Sequence, residues 1–197
     1  MAHQLVQRMF SWRGYQPGSA LPAMENHCGT LVICAPDTVM GTLSISADRP
    51  GQLLSVEKTF GEEVRALREA GHRLCEFTRL AVEAVAHPKE LLGSLFHGAY
   101  RFAERVHGAG TVLVEVNPRH VRFYERLLGF KVLSDVRLNE RVQAPAVLLA
   151  LDLAWGLREM ERLGGQPDAA TRERSFYPYF LSAAQEVKVL HGAWDAA

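Results

Sequence analysis

The amino-acid sequence predicts a mixed α/β (α+β) fold, a central mixed sheet flanked by helices, and three observations lead there. Val39, Gly41, Leu43 and Ile45 alternate with Thr38, Thr42, Ser44 and Ser46, the two-residue period of a strand with one buried face. Leu91, Leu92, Leu95, Ala99, Phe102, Ala103 and Val106 recur at helical spacing within residues 88–107. The apolar runs 72–82 and 111–116 flank that helix, and such a strand–helix–strand unit pairs its strands in parallel through a right-handed crossover.

The remaining elements follow in order. Residues 5–10 open a short helix, and 18–28 read as loop, with Pro17 and Pro22 as breakers. Residues 30–35 are rich in strand formers, and Pro36-Asp37 turns them back into the alternating strand, a β-hairpin. A turn at 48–51 precedes a helix over 62–70, which Gly71 stops. The long helix has Pro88 in its first turn and Gly108 at its end. A helix over 118–128 has Asn117 as its cap and Gly129 as terminator. Strands are expected at 130–134 and 146–153, and a helix at 156–163. One domain spans 1–163; residues 164–174 form a linker, and an aromatic tail from Ser175 packs back on the same domain, so that 164–197 is its appendage.

Composition narrows the function. The chain has 197 residues, 48% hydrophobic and 22% charged, with a formal net charge of zero, which provides no basic field for nucleic acid. Three cysteines, Cys28, Cys34 and Cys75, without CxxC spacing argue against a disulfide framework or a zinc site. His97 and His107 lack ligand-like spacing, so no metal site is expected. Residues 1–10 lack the apolar run of a signal peptide, and 144–155, interrupted by Asp152, are too short to span a bilayer; a reducing cytoplasm fits best, with no integral membrane association.

Two stretches carry a family resemblance. Residues 116–130, Val-Asn-Pro-Arg-His-Val-Arg-Phe-Tyr-Glu-Arg-Leu-Leu-Gly-Phe, resemble the late motif of GNAT-type N-acetyltransferases. Residues 75–82, Cys-Glu-Phe-Thr-Arg-Leu-Ala-Val, resemble the central strand of acyl-homoserine-lactone synthases, a branch of the same fold. Together with Val114-Glu-Val-Asn-Pro-Arg-His120 they are most similar to the N-acyl amino acid synthase branch, over roughly residues 30–151. The resemblance implies two parallel strands that splay apart around pantetheine, with backbone N–H groups of Leu80, Ala81 and Val82 facing the thioester. Acetyl-CoA enzymes of this fold follow that strand with a glycine-bearing loop that holds the pyrophosphate. Here Glu83-Ala-Val-Ala-His-Pro88 contains no glycine, which argues against free CoA and for pantetheine on an acyl carrier protein.

The chemistry needs a base for the amine, a donor for the oxyanion and a proton for the leaving thiolate. Tyr124, which the superfamily resemblance puts near the sulfur, is the candidate acid; alternatively it only shapes the pocket. Glu76 and Arg79 match the Glu and Arg of the lactone-synthase strand, which makes Glu76 a candidate catalytic residue and Arg79 a candidate substrate contact. Strict alternation puts them on opposite faces, and a β-bulge between them would bring both to one side. Arg79 then suits a substrate carboxylate, unless the two form an internal ion pair. Glu115 is a candidate base or the partner of Arg119 or Arg122. Asn117 faces the same way as Glu115 and is a substrate contact or simply the helix cap. His120 is a substrate contact, a proton relay or a packed imidazole. Lys89, Arg101, Arg105, Arg119, Arg122 and Arg126 either dock an acidic carrier or form a solvated face.

The expected activity is transfer of a long-chain acyl group from acyl carrier protein to an amino acid, giving an N-acyl amino acid. The acyl-phosphopantetheine or acyl-CoA donor is a substrate, not a resident cofactor. An acetyl-CoA-dependent N-acetyltransferase and a non-catalytic pantetheine- or lipid-binding module are the alternatives. The N-terminal third does not reproduce the Arg, Trp and Asp pattern of lactone synthases, which argues against lactone formation.

Overall fold

The computed structural model describes residues 28–35, 38–83 and 87–194. The helix expected at 5–10, most of the loop at 18–28, the Pro36-Asp37 turn and residues 84–86 of the glycine-free segment lie outside the described residues.

Strands β1 (Cys28–Ala35) and β2 (Thr38–Ala47) pair antiparallel, with Thr30 opposite Ser44 and Leu31 opposite Leu43. Helix α1 (Glu57–Glu69) follows, then β3 (Leu74–Val82), α2 (Pro88–Arg105) and β4 (Thr111–Val116). A 3₁₀ turn over Pro118–His120 leads into α3 (Val121–Leu128), and the short strands β5 (Lys131–Val132) and β6 (Arg137–Asn139) precede β7 (Ala144–Asp152). Helix α4 (Leu153–Leu163), a 3₁₀ turn over Pro167–Ala169, α5 (Ala170–Glu173), a second turn over Tyr177–Tyr179 and α6 (Ala183–Trp194) complete the described chain.

The sheet runs β1-β2-β3-β4-β7-β5, with β6 on β7. Among the described strands only β3–β4 is parallel, and α2 makes that crossover. Alternation sends Leu43, Ile45, Cys75, Phe77, Val112, Val114, Leu149 and Leu151 to the face covered by α2 and α4. Leu74, Leu113, Ala146 and Leu148 go to the other face, under Leu54, Val56, Phe60 and Val64 of the α1 segment. Burying a side chain such as Phe60 or Leu113 is worth about 1.5–3 kcal/mol, and both are fully enclosed.

Several boundaries differ from expectation for local reasons. Helix α1 begins at Glu57, five residues before the expected start, but it is kinked at Phe60 (φ −128°, ψ 38°), so the regular segment does begin near Glu62. β5 is shorter than expected: the ladder with β7 ends at Val132, and beyond it the Leu133 amide and the Ser134 hydroxyl both bond to Leu148, the hydroxyl breaking the regular backbone pairing. The expected linker contains a helical turn, and the aromatic tail enters the main core: Phe176, Tyr177 and Phe180 are buried there. Gly93 on α2 permits this, since a Cβ there would meet the Tyr179 carbonyl oxygen at 2.2 Å. Gly129 ends α3 at φ 75° and leaves room for the Trp155 ring, which a Cβ would approach to 2.1 Å.

Candidate active site at the splayed strands

The central parallel pair does not stay paired. β3 and β4 keep register from Leu74 opposite Thr111 to Phe77 opposite Val114, and there the ladder stops. Beyond that point β3 stays with β2 as far as Val82, and β4 stays with β7 as far as Val116. A wedge therefore opens between Thr78–Val82 and Glu115–Val116. The Glu83 amide donates to the Met40 carbonyl at 2.8 Å, so alternation turns the Val82 and Leu80 amides the other way, into the wedge. Ala81 lies opposite Thr42 and faces β2.

A bulge shapes one wall. Thr42 opposes Ala81 and Ser44 opposes Thr78, so β3 carries one extra residue, and Arg79 takes φ 53°. A non-glycine residue in the left-handed region is a costly conformation that recurs at functional sites. Past the bulge, Leu80 and Val82 pack on the α2 side, which puts Arg79 on the α1 side with Glu76. The Thr42 hydroxyl donates to the Arg79 carbonyl at 3.3 Å and steadies the bulge.

Glu76 and Arg79 share a face without forming the internal ion pair that was the alternative to a role at the active site. Glu76 is 1% exposed. Its Oε2 accepts the Ser55 amide at 2.7 Å, the Ser55 hydroxyl donates to Oε1, and the Val56 amide adds to them. These donors lie at the N-terminus of α1, where a carboxylate is favoured. Burial nevertheless raises the Glu76 pKa; the Ser55 and Val56 hydrogen bonds oppose it, and the charge of Glu115 adds to the rise. Burial lowers the pKa of the half-buried Arg79 guanidinium; Cys28 acts against that, and Arg141 in the same direction.

Glu115 follows Leu113 onto the α1 side of β4 and opposes Leu148 of β7. It is held by Asn139, whose Nδ2 donates to Glu115 Oε1, and neither Arg119 nor Arg122 pairs with it. Burial raises its pKa above the usual carboxylate range, and the Asn139 hydrogen bond and the Arg141 charge pull it back. Glu76, Arg79, Glu115 and Arg141 thus form one electrostatically coupled group beside the wedge.

Tyr124 lies on the opposite side. It packs with Phe96, Phe123 and Phe130, ring centroids 5.3–6.3 Å away and nearly perpendicular, and burial pushes its phenol up to about 12. Val121, Tyr124 and Leu128 all turn toward the core, as helix phase requires. Asn117 caps the turn after β4: its Oδ1 accepts the Arg119 amide at 3.2 Å and its Nδ2 donates to the Pro145 carbonyl at 3.4 Å. His120 is exposed and takes a 3.1 Å hydrogen bond from Arg119 Nε. Among the described residues no group of three or more His, Cys, Asp or Glu side chains gathers as metal ligands, and no helix is long and apolar enough to cross a membrane.

This splayed, bulged sheet matches known proteins. The sequence model of the N-acyl amino acid synthase FeeM family matches residues 1–152. The chain belongs to the N-acyl amino acid synthase family. The structure of FeeM, an N-acyl amino acid synthase from uncultured soil microbes, aligns with a TM-score of 0.70 at 25% identity, covering 78% of this chain and 85% of that one. An acyl-CoA N-acyltransferase from Pseudomonas aeruginosa aligns at 0.53 and 18% identity, covering 76% and 86%. A CoA-dependent acyl-homoserine lactone synthase, BjaI, with SAM and isopentyl-CoA, aligns at 0.56 and 14% identity, covering 88% and 79%; these two show the shared GNAT-type fold. No curated protein matches the sequence. The chain is thus an N-acyltransferase of GNAT fold.

Within this N-acyltransferase, some basic residues singled out above have structural partners. Arg101 and Arg105 hold Glu186 of α6 at 3.0–3.2 Å. Lys89 lies 5.3 Å from the Tyr179 ring centroid. Asn139, Arg141 and Ser55 were not singled out from sequence. The polar run Asn139-Glu-Arg-Val-Gln143 is itself a turn signal, and an Asn at its start commonly accepts from the backbone two residues on, as Asn139 does from Arg141.

Proposed function

We propose that this synthase moves a long-chain acyl group from the pantetheine thioester of an acyl carrier protein to the amine of an amino acid. The observation that carries this reading is the two-sided wedge. Carboxylate and guanidinium groups lie on the α1 side, a phenol lies on the α2 side, and strand amides lie between. A thioester entering from the α2 side meets an amino acid entering from the α1 side. Glu115 takes a proton from the acceptor ammonium. The amine nitrogen then attacks the thioester carbonyl, and the Leu80 and Val82 amides stabilise the oxyanion. The C–S bond breaks, Tyr124 protonates the departing thiolate, and Glu115 takes the second amine proton after relaying the first to water; solvent then carries a proton from Glu115 back to the Tyr124 phenolate, leaving one net proton released. The products are an N-acyl amino acid and carrier-bound thiol.

Arg79 is assigned to the acceptor carboxylate, which its planar fork can grip at two oxygens. Glu76, with both oxygens engaged by the α1 N-terminus, is assigned to holding the bulged strand and to the negative field around Arg79. Asn117, which caps the turn after β4, and the exposed His120 are assigned to contacting the acceptor. Arg122 and Arg126, exposed on α3, are assigned to an acidic carrier. A cytoplasmic location goes with this reading, because the carrier and reduced thiols are found there.

The donor experiment is direct. Purified protein turns over long-chain acyl-carrier protein faster than the matching acyl-CoA. Equal or better turnover with acetyl-CoA would overturn the carrier assignment. The acceptor assignment is read separately. Arg79→Lys keeps the charge but loses the fork, so the acceptor KM rises about tenfold, the equivalent of ~1.4 kcal/mol, with donor KM unchanged. An unchanged acceptor KM at full activity would leave Arg79 a structural role.

A further inference from the structure

We infer that Asn139 is a positioning residue for Glu115, engaging its Oε1 so that Oε2 becomes the atom that accepts the acceptor's proton. This rests on the reading of Glu115 as general base.

Asn139 is 5% exposed, and its side chain is used at both ends. Its Oδ1 accepts the Arg141 backbone amide at 2.9 Å, which can only donate. That bond settles the orientation of the amide: Oδ1 faces the turn, and Nδ2 must face Glu115. Nδ2 is only a donor, so Glu115 Oε1 receives a hydrogen there, and because a carboxyl hydroxyl accepts more weakly than a carboxylate oxygen, a proton is favoured on Oε2. A carboxylate with one oxygen engaged in this way is a base with a preferred direction.

The strand that holds Asn139 is itself fastened. β6 pairs with β7, Asn139 opposite Ala144, and Arg137 ties it to α1. The Arg137 guanidinium donates to the Thr59 carbonyl at 3.1 Å and to Glu63 Oε2 at 3.0 Å, and lies 5.3 Å from the Phe60 ring centroid. A three-residue strand with a largely exposed Leu138 has little burial of its own to hold it, and these ties replace it. β6 thus presents one buried amide to the base from across β7.

The other groups around Glu115 set its proton affinity. Burial raises it, and Arg141 after β6 lowers it, while the Glu115 charge in turn raises the proton affinity of Glu76 on β3. Arg79 on β3 interacts with Glu76 and Arg141. Leu148, opposite on β7, is apolar. Among these, the Asn139 hydrogen bond is the largest influence that favours the ionised form.

The test is the pH profile of kcat/KM, read on the full chain with a saturating donor. Activity needs ionised Glu115, so it falls as pH drops through that group's raised pKa. Asn139→Asp keeps an acceptor for the Arg141 amide but turns a carboxylate oxygen toward Glu115. Two carboxylates then share a proton, and the acidic limb moves up by about one pH unit or more, with turnover recovering at high pH. Asn139→Leu, similar in volume and without a donor, moves the limb in the same direction and provides the measurement if the Asp variant does not fold. A limb that stays in place, with activity lowered equally at every pH in a folded variant, would overturn the inference. Glu115→Gln is the control that separates the two claims. If it retains full activity, the base assignment itself fails. If it is inactive while both Asn139 variants keep the wild-type limb, only the positioning role fails.

Discussion

Glu115→Gln is expected to lower kcat/KM by about 10²- to 10⁴-fold, the range of a lost general base. Gln is nearly isosteric and can still meet Asn139 through its carbonyl oxygen, so the wedge keeps its shape while the basic atom is lost. The acceptor amine is an ammonium at neutral pH and cannot attack until it is deprotonated. Burial, which raises the Glu115 pKa, also brings it closer to a useful match with that amine. The loss should shrink as pH rises, because more of the acceptor then arrives already neutral. Steady-state rates from pH 6 to 9.5 with wild type and variant, as about equal steps, measure this. A pH-independent loss would point to structural damage, and near-wild-type rates would require another base.

Tyr124→Phe is expected to lower turnover on the order of 10²-fold while donor affinity hardly changes. The three perpendicular ring contacts of Tyr124 are made by its carbon framework, and Phe keeps them. Only the hydroxyl is removed. Burial holds the phenol protonated up to about 12, so the acid is present throughout the working pH range and adds no limb of its own there. Comparing kcat and donor binding in the two proteins isolates the proton. Wild-type turnover in a folded variant would assign Tyr124 to packing, with the thiolate leaving unaided.

Much of the site was legible because its signals are local. Glu76 and Arg79 three apart on a strand required a bulge if both were to serve one face, and Arg79 does adopt the left-handed conformation of one. The phase of α3 was enough to turn Tyr124 inward, and Asn117 before Pro118 was enough to mark a cap. What could not be read depends on contacts across long separations. Ser55 meets Glu76 over 21 residues, and Asn139 meets Glu115 over 24. β6 has three residues and an exposed Leu138, so neither length nor alternation announces it. Arg101 and Arg105 resemble any solvated helix face until Glu186, more than 80 residues on, arrives beside them.

The ending of α3 bears on how this N-acyltransferase can be cut and recombined. The last carbonyls of a helix lack partners within it. Here the Phe176 amide donates to the Leu127 carbonyl at 2.9 Å, and the Tyr177 hydroxyl donates to the Leu128 carbonyl at 2.9 Å. The helix that carries Tyr124 is thus finished by residues far downstream of position 152, where the family match ends. A chimaera joined at that position would carry Tyr124 on a frayed helix, with the place of Tyr179 beside Gly93 left unfilled. The exchangeable unit of this fold therefore extends at least through Phe180, and any graft of the candidate site onto another scaffold has to carry the tail along.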